Sequence, residues 1–430
     1  MKVYIETYGC SANRSDSEIM MALLKKEGFE IVESPEFSDI NIINTCIVKT
    51  PTANRMLSRI SFLYNLAKPL IIAGCMSKAE REQLEKKFPK ASLISPEAID
   101  KIVDVAKMTL DGKKIIALEG FAEKPKLPFI PFNPIISIVQ ISIGCLSYCS
   151  FCETKIAKGN LKSYRPLSII EKIELDLKNG FKEFWITSQD NACYGFDIGT
   201  NLGELLLAIK KIEGKFYVRV GMMNPFHLIR NQDLLNKIIE ALKDDKFYKF
   251  VHLPLQSGSN KVLKDMNRLY TVEEYKKIIE NFRKEIPDIR IETDIIVGYP
   301  TESEKDFEES VKIVKELKFD SINISKFSSR PNTPASKLKE LDVEIVKKRS
   351  KIISEVALEV LYKNKLSFLN KELKVFVDEI GVKPNTYVGR TMNYTPVVIK
   401  TEKNIFGKEV LVRIKEAKSH YLIADFIDLL

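Results

Sequence analysis

Ile136-Ser137-Ile138-Val139-Gln140-Ile141-Ser142-Ile143-Gly144-Cys145-Leu146-Ser147-Tyr148-Cys149-Ser150-Phe151-Cys152 is the stretch on which the reading of this chain turns. Its apolar, β-branched first half has the composition of a buried strand. A glycine closes that run, and three cysteines follow in a C-x-x-x-C-x-x-C set. Three thiolates can hold three irons of a 4Fe–4S cube and leave the fourth iron open to a ligand. A structural zinc site would require a fourth cysteine or histidine, and none stands nearby in the sequence.

Downstream of this loop, strand and helix signals alternate about six times as far as Phe327, which predicts a parallel barrel or part-barrel. The candidate strands are Ile136–Ile141, Phe184–Thr187, Tyr217–Val220, Phe250–Leu253, Arg290–Val297 and Ser321–Ser325. Upstream, from Val3 to about Lys107, strands at Val3–Thr7, Ile40–Thr45 and Pro69–Gly74 alternate with amphipathic stretches. One of these predicts a helix over Ser15–Lys26, capped by Ser15 or Asp16 and stopped by Gly28. Pro125, Pro128, Pro131 and Pro134 then interrupt regular structure. Val343–Leu369 reads as a basic helical connector. After Lys371, β-branched alternation with Gly381, Pro384, Gly389 and Gly407 at turns predicts a small closed sheet. The expected fold is therefore α/β: a doubly wound parallel-sheet domain over 1–120, a Pro-rich linker over 121–134, a central partial (βα)6 barrel with a helical extension over 135–370, and an all-β barrel over 371–430.

A chain of 430 residues with 45% apolar side chains can bury several cores. Met1 leads directly into the alternating Lys2-Val3-Tyr4-Ile5-Glu6, and no apolar run is long enough to cross a bilayer, so a cytoplasmic protein without membrane contact is expected. There, seven cysteines point to metal binding or catalysis rather than disulfides. Only three histidines occur, which disfavours a histidine metal site. A net charge of +9 suits a polyanionic partner but decides nothing alone.

Cys10, Cys46 and Cys75 lie far apart in sequence, yet each directly follows a predicted strand. Strand ends of a parallel sheet share one edge, so three thiols can converge there. Gly9 and Gly74 would let the backbone approach a bulky cluster. The seventh cysteine, Cys193, has no thiol neighbour in sequence and reads as structural.

The loop of Cys145, Cys149, Phe151 and Cys152 at the end of the first barrel strand resembles the radical S-adenosylmethionine (SAM) signature. The resemblance implies that SAM binds the open iron and that reductive cleavage makes a 5′-deoxyadenosyl radical. Two cysteine trios flanking a Pro-rich linker resemble the methylthiotransferase family, and the run from Thr7 to Glu18, TYGCSANRSDSE, is close to that family's opening. In that family a second 4Fe–4S cluster, here implied at Cys10, Cys46 and Cys75, supplies or carries the inserted sulfur. A cobalamin-binding domain would usually present a histidine, which this region lacks.

His252-Leu253-Pro254-Leu255-Gln256-Ser257-Gly258-Ser259, Met266–Tyr270, Thr187–Gly195, Arg219 before Gly221–Pro225, and Thr293–Pro300 also match family text. The resemblance makes Gln189, Asp190, Arg219, Gln256, Ser257 and Asp294 candidate SAM or substrate contacts, while His252 reads as a satisfied structural histidine rather than a base. The run Glu153–Tyr164 looks like the branch acting on N6-threonylcarbamoyladenosine at position 37 of tRNA, beside the anticodon, more than the isopentenyladenosine or ribosomal-protein aspartate branches. Lys158 stands there in place of a usual arginine, and Asn332 in place of a common glycine. Glu372–Phe426 resembles the TRAM domain. The implied partners are a tRNA anticodon stem-loop, with its target base splayed out, an electron donor and a sulfur source. A metal-containing RNA-binding protein without catalysis is the alternative, but it would leave the barrel motifs without a purpose.

Overall fold

Six strands, β1 (Lys2–Thr7), β2 (Glu30–Val32), β3 (Ile40–Thr45), β4 (Leu70–Gly74), β5 (Ser92–Ile94) and β6 (Ile116–Ala117), open the computed structural model, which describes residues 1–47 and 50–430, with the backbone alone for 50–54. They form one sheet in the order β2-β1-β3-β4-β5-β6, parallel throughout. Successive side chains point to opposite faces, which is why both faces are covered. Ile42 and Ile71 pack with Ile19, Met20 and Leu24 on one side. Ile43 and Ile72 pack with Met56, Ile60 and Leu63 on the other.

The first helix runs Ser11–Lys26, four residues longer than expected, and its N-cap is Cys10, not Ser15 or Asp16. Asp16 does not cap because its carboxylate is used elsewhere: Oδ1 accepts from Lys124 at 2.5 Å and from Gln140 at 2.7 Å. These partners lie in the Pro-rich segment and the barrel, so that segment is a strap bound to the first helix. Ile130 and Phe132 donate backbone N–H groups to the Glu18 carbonyl and carboxylate, both at 2.9 Å. It also contains one 3-10 turn, Lys124–Lys126, which the proline pattern did not predict.

The central region contains β7 (Ile136–Gln140), β8 (Ser142–Ile143), β9 (Lys162–Ser163), β10 (Glu183–Thr187), β11 (Tyr217–Val220), β12 (Phe250–His252), β13 (Arg290–Val297) and β14 (Ser321–Lys326). Strands β7, β10 and β11 pair in parallel, as do β12, β13 and β14. A parallel bridge, Val218 to Phe247, carries the curve from one trio to the other and makes a six-stranded part-barrel. The antiparallel β8–β9 pair brackets the three-cysteine loop. The connector helix spans Val343–Leu366 and is held by Arg349, which pairs with Glu302 and Glu304, each at 2.8 Å.

Strands β15 (Glu372–Ile380), β16 (Thr386–Thr391), β17 (Pro396–Lys400), β18 (Glu409–Ala417) and β19 (Leu422–Leu429) close a barrel in the order β15-β16-β17-β19-β18. This barrel docks on the N-terminal ends of the central strands. Lys249 N–H donates to the Met392 carbonyl at 2.7 Å, Arg290 to the Tyr394 carbonyl at 2.6 Å, and Tyr217 Oη to Glu409 at 2.6 Å. Ile135, Ile136, Tyr217, Tyr248, Phe250 and Phe376 form the apolar seam. Among the described residues no helix is long and apolar enough to cross a membrane.

Candidate active site

The three-cysteine loop leaves the C-terminal end of the barrel through Gly144, whose φ is +78°. A Cβ there would lie 2.0 Å from the Asn160 carbonyl oxygen, so only glycine fits the turn. The Gly144 N–H donates to Gln189 Oε1 at 2.8 Å. Ser150 anchors the loop's far end, its N–H on the Met266 carbonyl at 3.0 Å and its hydroxyl 2.9 Å from that of Tyr299. Phe151 packs beside Met266 and Tyr299. Arg268, buried, donates to Cys149 Sγ at 3.3 Å and to the Pro254 carbonyl at 3.0 Å. It lies inside a quoted motif, but its role as a fixed cation on a cluster cysteine was not visible without coordinates. Burial, then the neighbouring Cys149, pushes the Cys152 thiol up to about 11. A thiol of this kind becomes a thiolate through a metal's charge, not through its surroundings.

Cys193 lacks a thiol neighbour only along the chain. In space its sulfur groups with those of Cys145 and the Asp190 carboxylate, all within 4.8 Å, the one such trio of ligating atoms among the described residues. Asp190 also accepts from the Ala192 and Asn224 N–H groups at 3.1 and 2.8 Å and is nearly fully buried. Neither of the predicted cysteine trios draws together this tightly. Wider spacing is what a cube asks for, since it spreads its ligands over separate irons.

Inside the barrel, the Arg219 guanidinium lies 5.3 Å from the Phe250 ring centroid, 5.4 Å from that of Tyr394 and 5.8 Å from that of Trp185. His252 Nε2 lies 2.8 Å from Asp294 Oδ2, and Nδ1 lies 3.8 Å from Glu292. Burial opposes the imidazolium, but the Asp294 hydrogen bond and the charges of Asp294 and Glu292 outweigh it and raise the His252 pKa. Gln256 is held at φ +77° between β12 and β13, its N–H on the Asp294 carbonyl at 2.8 Å. Ser257 is not presented to the barrel interior. It is fully buried, and its hydroxyl accepts from the Ser259 N–H at 3.2 Å and sits 3.4 Å from that of Ser310. The reason is Gly258: a Cβ there would lie 2.6 Å from Ser310 Cα, so helix Glu304–Leu317 packs directly on this backbone and covers Ser257.

The amino-terminal sheet presents its strand ends to the same barrel mouth. Ser11 and Thr187, at the end of β10, share a hydrogen bond of 2.8 Å, and Gln140, at the end of β7, donates to the Ala12 carbonyl at 3.3 Å. Cys10 caps the first helix, Cys46 follows β3 and Cys75 opens the helix Cys75–Ala79. A Cβ at Gly9 would stand 2.7 Å from Cys46 Cβ and 3.0 Å from its sulfur, and one at Gly74 would stand 2.4 Å from the Thr45 carbonyl oxygen. Gly9 thus lets the backbone pass close to Cys46, and Gly74 lets β4 turn into Cys75 against Thr45. Cys10 is exposed, while Cys46 and Cys75 are buried. Burial is the main cause that pushes Cys75 up to about 12, with Lys158 opposing it. All-thiol donors, two glycine-lined approaches and an exposed cysteine at the mouth fit an iron–sulfur cluster with one accessible corner.

Residues 139–314 match the Radical SAM superfamily, residues 2–95 the Uncharacterized protein family UPF0004, and residues 367–427 the TRAM domain. A probable threonylcarbamoyladenosine tRNA methylthiotransferase of Pyrococcus horikoshii is 41% identical, covering 99% of this chain and 100% of that protein. The chain belongs to this methylthiotransferase family. The threonylcarbamoyladenosine tRNA methylthiotransferase of Homo sapiens is 34% identical over 98% of this chain and 73% of its own length. Family membership through the Radical SAM region brings SAM and a 4Fe–4S cluster. Among solved structures, the radical SAM methyltransferase TsrM from Kitasatospora setae, with cobalamin and a 4Fe–4S cluster bound, shares the fold at a TM-score of 0.57. The identity is 13%, with 78% of this chain and 76% of that one covered. Cobalamin belongs to that neighbour; the first 226 residues here contain no histidine.

Proposed function

We propose that this enzyme converts N6-threonylcarbamoyladenosine beside the anticodon of tRNA to its 2-methylthio derivative, using two 4Fe–4S clusters. The observation that carries the reading is the pair of cysteine trios at one barrel mouth, in a chain similar from end to end to enzymes named for this modification. Cys145, Cys149 and Cys152 would hold the SAM-binding cluster, and Cys10, Cys46 and Cys75 the second. When bound, the first cluster with SAM supplies a radical able to take hydrogen from adenine C2, and the second supplies the sulfur.

The protein's own part is placement. Gln189 fixes the turn into the first cysteine loop, Arg268 sets a cation against Cys149, and Phe151 pins the loop to the barrel. Arg219, Asp294 and Gln256 are the proposed contacts inside the barrel; a guanidinium suits a carboxylate, such as that of SAM, and a carboxylate suits ribose hydroxyls. Asp190 acts from beneath Cys145. The C-terminal barrel engages the RNA, an external reductant and a sulfur source complete the reaction, and the cytoplasm is its setting. Mass spectrometry of tRNA nucleosides from cells lacking the gene tests the reading: loss of 2-methylthio-N6-threonylcarbamoyladenosine, restored by the gene, supports it. Loss of the isopentenyl derivative or of a ribosomal-protein modification instead would refute it.

A further inference from the structure

Lys158 ends the short helix Thr154–Lys158 that follows the SAM loop, and this helix packs on the helix Cys75–Ala79, which puts the lysine beside the other cysteine trio. Cys75, Cys10, Asp16 and Cys46 are the groups whose charge acts on it most. It is 1% exposed, and its Nζ has no hydrogen-bond partner. Two more polar atoms are buried unpaired in this region, Asp16 Oδ2 and Tyr164 Oη. Carboxylates alone do not balance the two lysines. Lys124 and Lys158 both face the carboxylate of Asp16, which is paired with Lys124 at 2.5 Å, so the negative charge left for Lys158 is that of Cys75, Cys10 and Cys46 and whatever they hold. An unpaired buried ammonium is costly, so its retention implies an anion in the space it faces.

We propose that Lys158 is a positioning residue of the amino-terminal centre, its ammonium donating hydrogen bonds to an anionic sulfur ligand, a hydrosulfide or alkanethiolate, bound at the cluster of Cys10, Cys46 and Cys75. The inference rests on the two-cluster reading and names the residue that would retain the sulfur there. A compact ammonium with three donors suits a spherical anion. The residue also ties the two centres together, because the helix that begins just after Cys152 ends in the group that faces Cys75.

The test uses the full-length chain with Cys145, Cys149 and Cys152 replaced by alanine and reconstituted anaerobically, so that the amino-terminal cluster alone gives a signal. Sodium hydrosulfide and methanethiolate are titrated against its electron paramagnetic resonance spectrum, and its midpoint potential is measured, with Lys158 intact, in K158R and in K158M. K158M should bind both ligands about tenfold more weakly or worse and lower the midpoint, a tenfold change in the one-electron equilibrium being about 59 mV. K158R should remain close to the parent. Unchanged affinity and potential in K158M would overturn the proposal, as would equal loss of iron in both variants, which would mark Lys158 as a packing element. Loss of iron in K158M alone would support the need for a cation. An intact-Lys158 chain that holds no iron after the triple replacement would refute the two-cluster reading itself.

Discussion

The two ends of the central barrel differ in what surrounds their buried polar groups. At the mouth, where β7 and β10 finish, Lys158 Nζ and Asp16 Oδ2 are buried beside the cysteines without a hydrogen-bond partner. At the other end, where the strands begin, Tyr217, Tyr248 and Tyr394 pack at centroid distances of 5.3 and 4.7 Å, Tyr248 Oη donates to Glu183 at 3.1 Å and Arg390 pairs with Asp378 at 3.0 Å, while Asp378 Oδ1 and Arg290 Nε have no hydrogen-bond partner. Leaving polar groups unpaired costs stability, and sealing aromatic surface contributes it. The contrast teaches that the mouth is shaped for something the protein must bind and the far end for holding the chain together.

That division can be broken by experiment. The largest effect should come at the mouth: Cys149→Ala should abolish 5′-deoxyadenosine formation while leaving the unfolding midpoint in urea almost unchanged. Next, Gly9→Ala forces a methyl group into the Cys46 side chain at a backbone φ of +109°, so reconstituted iron should fall from about eight per chain to about four, read by colorimetric iron analysis. At the far end, Tyr248→Ala removes a fully buried ring and should cost about 3–5 kcal/mol in chemical denaturation, with SAM cleavage preserved at permissive temperature. If cleavage disappears with it, the two ends are not separable.

The smallest effect tests the strap. Burial, opposed by the Phe132 N–H, Arg14 and Lys172, raises the Glu18 carboxyl to about 7. Its folded pKa thus exceeds the unfolded value of 4.5, so its contribution is complete below pH 4.5 and is lost as pH rises through 7. The urea midpoint should decline across that window by no more than about 3 kcal/mol equivalent. Glu18→Gln should flatten the decline; a parallel decline in the variant would place the titration elsewhere.

Much of the frame was readable from residues alone. Ile40–Thr45, Tyr217–Val220 and Arg290–Val297 are strands with the expected bounds, because long β-branched runs leave little choice. β2, β5 and β6 escaped notice because two or three residues are too few to establish a period. The two cysteine trios were expected for different reasons, local spacing in one and strand ends in the other, and the structure does place Cys46 and Cys75 directly after β3 and β4. The surroundings of Cys193, Arg268 and Lys158 were not, since Cys145, Cys149 and Cys75 reach them across long sequence separations, and no local pattern marks a side chain whose neighbours come from another element. The misplaced cap at Ser15 or Asp16 has the same origin: the carboxylate that looked like a cap is paired with a lysine 108 residues away.

Tyr394 and Phe376 turn the central barrel into a well with a floor. The rings of Tyr394, Phe250 and Trp185 lie against the Arg219 guanidinium, so a carboxylate drawn to that group would approach from the side these rings leave open.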